Sequence, residues 1–264
     1  ALAKRMRSLT SRGSFFARSR CRALSGHSTS QPTASTAASW ISASCSLSAT
    51  HSTRSRGISV QPGQIVIGSG AEYLYGLIVQ LLGRERVFAL EDPSYDKIRR
   101  VYQAHGVTCE MLRLGSDGIR SDELTRASAT VLHVTPFHSF PSQVTASAGK
   151  RREYLRWAEE RGGYIVEDDF ESEFSVSSKS EDTLFALEPE RSVIYMNTFS
   201  KTIAPSMRVG YMVLPPALSE QFRREVGFYS CTVPVFEQYV LAELIGSGDF
   251  ERHINRIRRR RRKE

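Results

Sequence analysis

The chain is 264 residues long and 40 % apolar, with 13 Phe and 10 Tyr, ample for a large core, and no apolar run approaches the ~18 residues that cross a bilayer. Its formal charge of +8 would suit a nucleic-acid binder, yet residues 1–71 hold nine Lys/Arg without an acid and 252–264 hold eight against Glu264, so the stretch between carries −8. The middle reads as an acidic soluble protein without a membrane role. Four scattered cysteines and six unpaired histidines predict a reducing, cytoplasmic setting and no structural metal.

Residues 1–56 are rich in Ser, Ala, Thr and Arg, contain no acid, and show neither helical nor strand periodicity. They read as disordered or non-native low-complexity sequence. A linker, an organellar transit peptide and a stretch translated out of frame are the origins that composition allows, and the composition breaks abruptly at "RGISVQPGQIVIG". No helix-turn-helix can be read there.

Between residues 57 and 258 the chain alternates. "QIVIG" predicts a short buried strand, and "AEYLYGLIVQLLG" a helix whose Leu74, Leu77, Ile78, Leu81 and Leu82 share one face. "RVFALEDP" predicts a strand, "YDKIRRVYQAHG" a helix, "TVLHVTP" a strand, and "REYLRWAEERGG" a helix closed by glycines. Strands follow at "YIVEDD", "SVIYMNTFSK" and "VGYMVLP", then a helix at "VFEQYVLAELIGSG". This order predicts an α/β domain of three layers, a mainly parallel central sheet covered by helices on both faces. Residues 259–264 read as a basic tail, a solvated helix end or a weak nucleic-acid contact.

Several chemistries can be weighed on residues alone. Gly68 and Gly70 lie between a strand and a helix, where N–H groups can hold a phosphate, but Tyr73 stands where a dinucleotide fingerprint needs its third glycine. "SAGKR" lacks the first glycine of a nucleotide loop, and no G-x-S-x-G elbow occurs. His133, inside an apolar strand, reads as a satisfied core histidine. "EDDFESEF" puts carboxylates at the carboxyl end of a strand, the rim where doubly wound sheets bind ligands, and Lys201 follows another strand to the same rim. A phosphate cup, a carboxylate and a lysine together are what pyridoxal 5'-phosphate (PLP) chemistry needs.

The motifs "GSGAEYLYG", "EDPSY", "TPFHSFPS", "VEDDFESEF" and "NTFSKTIAPSMRVGY" occur in this order. Through them residues 57–258 resemble the large domain of fold-type-I aminotransferases, and most nearly the aminotransferase-like half of MocR-type regulators of the GntR family. The resemblance implies PLP as cofactor and Lys201 as the Schiff-base lysine. It implies Asp168 opposite the pyridine nitrogen, with Tyr95 stacking on the ring. Gly70, Ala71 and Glu72 would offer backbone N–H groups to the phosphate, flanked by Thr198, Ser200 and Arg208.

The chain also departs from that pattern. Phe170 stands where the family usually has a tyrosine whose hydroxyl meets the cofactor. Ser139, Ser142 and Gln143 replace residues of the usual His-Gln-aromatic-Pro-Thr-Gly run, and the lost glycine predicts a distorted loop. Neither the winged helix of the regulators nor the small C-terminal domain of the enzymes can be read from the chain. The expectation is a regulator fragment that senses an amino acid or other amine through PLP, dimeric in the intact family and contacting DNA only through the winged helix. A free-standing aminotransferase and an inactive remnant are the alternatives.

Overall fold

The structure, a computed structural model, describes residues 58–169, 182–200, 202–204 and 206–261. Eight strands form one sheet: β1 (Ile65–Gly68), β2 (Phe88–Asp92), β3 (Cys109–Gly115), β4 (Gly118–Ile119), β5 (Val131–Val134), β6 (Tyr164–Asp168), β7 (Val193–Thr198) and β8 (Gly210–Val213). Their spatial order is β1-β8-β7-β6-β5-β2-β3-β4. The centre, β3-β2-β5-β6-β7, is parallel throughout, while β8 runs antiparallel to both β7 and β1, and β4 to β3.

Helices cover both faces. On one lie α1 (Ala71–Leu82), α2 (Asp96–Ala104) and α6 (Pro216–Glu225), packed on Phe88, Leu90, Val131, Val166, Met196 and Met212. On the other lie α3 (Ser121–Arg126), α4 (Ala148–Arg161), α5 (Leu184–Leu187), α7 (Val235–Gly246) and α8 (Asp249–Arg261), packed on Ala89, Leu132, Val134, Ile165, Val193 and Tyr195. Successive strand residues alternate between these two sets, as the pleat requires, and both are apolar because both faces are covered. No helix among the described residues is long and apolar enough to cross a membrane.

Helix α1 is buried beyond the expected stripe. Tyr75, Gly76 and Val79 join the leucines inside, because α1 lies against the sheet and is flanked by α2 and α6. Helix α4 begins at Ser147, whose hydroxyl accepts the N–H of Lys150, and ends at Gly162 in the left-handed conformation. Helix α8 continues through Arg261, so the first three residues of the expected tail, 259–261, are helical.

Candidate functional site

The direction of chain winding reverses between β2 and β5. From β2 the chain moves outward to β3, whereas β5, β6 and β7 add on the opposite side. Such a reversal opens a crevice at the carboxyl ends of the strands. A pocket occupies that position, lined by Leu90 and Glu91 of β2, His133 of β5, Thr135, and Ser94, Tyr95, Ile98 and Phe140. Tyr95 is half exposed at its mouth and meets Phe140 edge to face, with ring centroids 6.0 Å apart.

The two acids that end β6, Glu167 and Asp168, and Asp169 just beyond it point to alternate sides. Glu167 turns to the α5 side and accepts the N–H groups of Leu184 and Phe185 at 2.8 and 2.9 Å. Asp169 accepts the hydroxyl of Tyr195 at 2.9 Å. Asp168 turns to the α1 side, buried, where its Oδ2 accepts the hydroxyl of Tyr75 at 2.5 Å and lies 3.7 Å from His133 Nε2. Tyr102 meets the other ring nitrogen, Nδ1, at 2.8 Å. Burial, and then the Asp168 charge, push the Tyr75 hydroxyl well above the usual tyrosine range, and burial does the same for Tyr102. Burial alone lowers the His133 pKa to about 3, so its imidazole is neutral at ordinary pH.

The other end of the site is the start of α1. Gly70, with φ of 94°, occupies a conformation that favours glycine, and a Cβ there would come within 3.1 Å of Arg208 Nη2. The Gly70 N–H points to the Gly68 carbonyl at 2.8 Å, so it is not one of the outward donors that the sequence led us to expect. Ala71 and Glu72 open the helix, where N–H groups have no carbonyl one turn back. Glu72 also pairs with Lys97, and its Oε2 lies 3.6 Å from Arg208 Nη2. Lys97 first, and then Arg208, hold the Glu72 carboxyl below its ordinary range.

Thr198 ends β7, buried, in register with Gly210. Ser200 donates from its hydroxyl to the Met207 carbonyl at 2.9 Å, and a ring nitrogen of His253 on α8 meets the Thr202 carbonyl at 2.9 Å. Lys201, the residue between these anchors, lies outside the described residues, and so does Phe170.

The aminotransferase class I and II family model matches residues 23–264. The chain belongs to this family. A curated relative, an uncharacterised HTH-type transcriptional regulator of Bacillus subtilis (YhdI), is 35 % identical over 204 residues, 77 % of this chain and 44 % of the relative. The probable rhizopine catabolism regulatory protein MocR of Rhizobium meliloti is 30 % identical over 206 residues, covering 78 % of this chain and 42 % of that one. The chain therefore spans less than half the length of these two curated relatives. Among solved structures, the kynurenine aminotransferase of Pyrococcus horikoshii, in complex with PMP, superposes with a TM-score of 0.73 at 26 % identity, over 82 % of this chain and 56 % of that one.

The loop 136–146 turns at the position where the family pattern has its glycine. Gln143 takes φ of 61° itself, the only non-glycine residue among those described to do so, with its N–H on the Ser139 carbonyl. Gln143 thus adopts a left-handed conformation that favours glycine. Ser139 is engaged too: its hydroxyl donates to buried Glu91 at 2.7 Å, beside Thr135, which donates from its hydroxyl at 2.6 Å and from its N–H at 3.2 Å. Burial raises the Glu91 pKa and these three hydrogen bonds oppose the rise.

Tyr75 and Tyr102 were not singled out by sequence, and Glu91 was noted only, with Asp92, as an acid that a dinucleotide site could use. The available signal was a phenol at Tyr75 inside the apolar face of a helix, since a buried hydroxyl needs a partner. His133, expected to be a satisfied core histidine, is buried at the crevice with Nε2 lacking a hydrogen bond among the described residues.

Proposed function

We propose that this chain is the PLP-binding, aminotransferase-like portion of a MocR-type transcriptional regulator that senses an amino acid or related amine. One observation carries the reading. Helix α1 opens beside Arg208 and, four residues or about 6 Å further along its axis, its Tyr75 hydroxyl meets Asp168. An anionic group and a ring nitrogen of one small ligand are separated by a distance of this order.

The donor set fits PLP. Ala71, Glu72, Ser200 and Arg208 would hold the phosphate, Arg208 through charge-assisted hydrogen bonds that must compete with Glu72. Thr198, buried at the end of β7, would line the same end. Tyr95 would cover the ring, and Asp168 would keep a proton on the ring nitrogen. Bound there, PLP would supply an aldehyde for covalent attachment to Lys201 and an electron-accepting ring. Lys201 would move a proton when an amine takes its place.

Similarity to full-length HTH-type regulators supports attachment to a DNA-binding part, through which any operator contact would run. Exposed Phe228, Tyr229, Val235, Phe236 and Tyr239 support pairing with a second copy. A second reading, a free-standing aminotransferase, is favoured by the likeness to the kynurenine enzyme and uses the same residues. The test is borohydride reduction of the PLP-treated chain followed by peptide mapping. Label on the Lys201 peptide alone is expected, and label scattered over surface lysines would contradict the cofactor site.

A further inference from the structure

His133 lines the crevice and has no part in the proposed function. Its ring is packed edge-on against Tyr75 and Tyr102, with centroids 5.3 and 5.6 Å away, so its orientation is fixed. Three groups with titratable protons surround it: Tyr75 and Tyr102 from the helices, and Asp168 from β6. Glu91 lines the same pocket from β2.

The tautomer follows from these neighbours. Among the described residues the Tyr102 hydroxyl has no acceptor except His133 Nδ1, so it donates there, at 2.8 Å. A neutral imidazole then carries its proton on Nε2, which is buried, has no hydrogen-bond partner among the described residues, and lies 3.7 Å from Asp168 Oδ2. The other tautomer would set two lone pairs against each other at that distance. At 3.7 Å the contact is longer than a hydrogen bond, and it sets the ring N–H dipole toward the carboxylate.

We infer that His133 is a positioning residue for Asp168: its Nε2–H, placed by Tyr102, stabilises the ionised carboxylate at the ring-nitrogen end of the site. A donor aimed at a buried carboxylate favours its charged form, and so favours leaving the shared proton on the ligand's nitrogen. The identity of that ligand rests on the PLP reading, whereas the tautomer and the contact with Asp168 do not.

Two nitrogen-15 NMR measurements on the full chain test this separately. In the unliganded chain, a proton on His133 Nε2 that redistributes in Tyr102→Phe is expected, and a proton on Nδ1 would overturn the inference. With ring-labelled PLP bound, the ring-nitrogen signal of His133→Leu should move toward that of unprotonated pyridine and affinity should fall roughly tenfold, with partial recovery in His133→Gln, whose amide can donate. An unchanged ring-nitrogen signal in His133→Leu would overturn the inference, because a purely packing role would not predict movement there. If the parent takes up no PLP, the cofactor reading fails, and the unliganded tautomer decides the His133 assignment alone.

Discussion

The hydroxyl of Tyr75 on α1 donates to Oδ2 of Asp168 on β6 at 2.5 Å, across 93 residues of sequence. Both groups are buried, so the bond ties the helix that opens at Gly70 to the acid that ends the central strand. Tyr75→Phe keeps the ring and its packing and removes only the donor. The expected loss is about 1–3 kcal/mol of unfolding free energy in denaturant, the scale for a hydrogen bond to a buried charged group. An unchanged midpoint would mean that the hydroxyl contributes nothing to the fold.

A pH dependence follows from His133. In the folded chain it takes a proton only near pH 3, whereas an unfolded imidazole does so near 6.5. Between these values the unfolded state binds the extra proton, so stability falls as pH drops from 6.5 toward 3, by up to ~1.4 kcal/mol per unit. Stability curves of the parent and His133→Leu should therefore run parallel above pH 6.5 and diverge below it, the parent losing more.

At Gln143 the backbone holds φ of 61° with a side chain that disfavours it. Left-handed strain of about 1–2 kcal/mol outweighs the roughly 0.4–1 kcal/mol that glycine returns through the freedom of the unfolded chain. Gln143→Gly should thus raise the melting temperature slightly, and Gln143→Val, β-branched, should lower it. The reverse order would contradict the strain.

Gly70 and Arg208 make a paired prediction. Gly70→Ala adds a Cβ 3.1 Å from the guanidinium at a positive φ, so it should push Arg208 away from the start of α1. Arg208→Gln removes the charge outright. Each should weaken PLP binding by roughly tenfold or more, with Arg208→Gln also reducing the dependence of affinity on salt.

Much of the fold was legible because the central strands are covered on both sides. "VLHV", "YIVED" and "VIYMNT" appear as apolar runs for that reason. Strand β3, "CEMLRLG", was not seen, since Glu110 and Arg113 interrupt it and most of it is only half buried near the sheet edge. Helix α6 starts at Pro216, a proline at the first helical position whose start signal lacks a strongly apolar run behind it. In the site, resemblance singled out Asp168 from among three adjacent acids, and the pleat turns that acid toward α1. Its partners Tyr75 and His133 come from distant segments, and no local pattern records such a meeting. The Gly70 N–H was expected to point outward and instead closes a turn onto Gly68.

The central claim is that this chain carries a working PLP site whose covalent anchor is Lys201. An absorption titration with PLP, run on the parent and on Lys201→Ala, tests it most directly. The account predicts a saturable visible band in the parent that is lost in the variant while its melting temperature is unchanged. Equal bands in both proteins, or none in either, would contradict it.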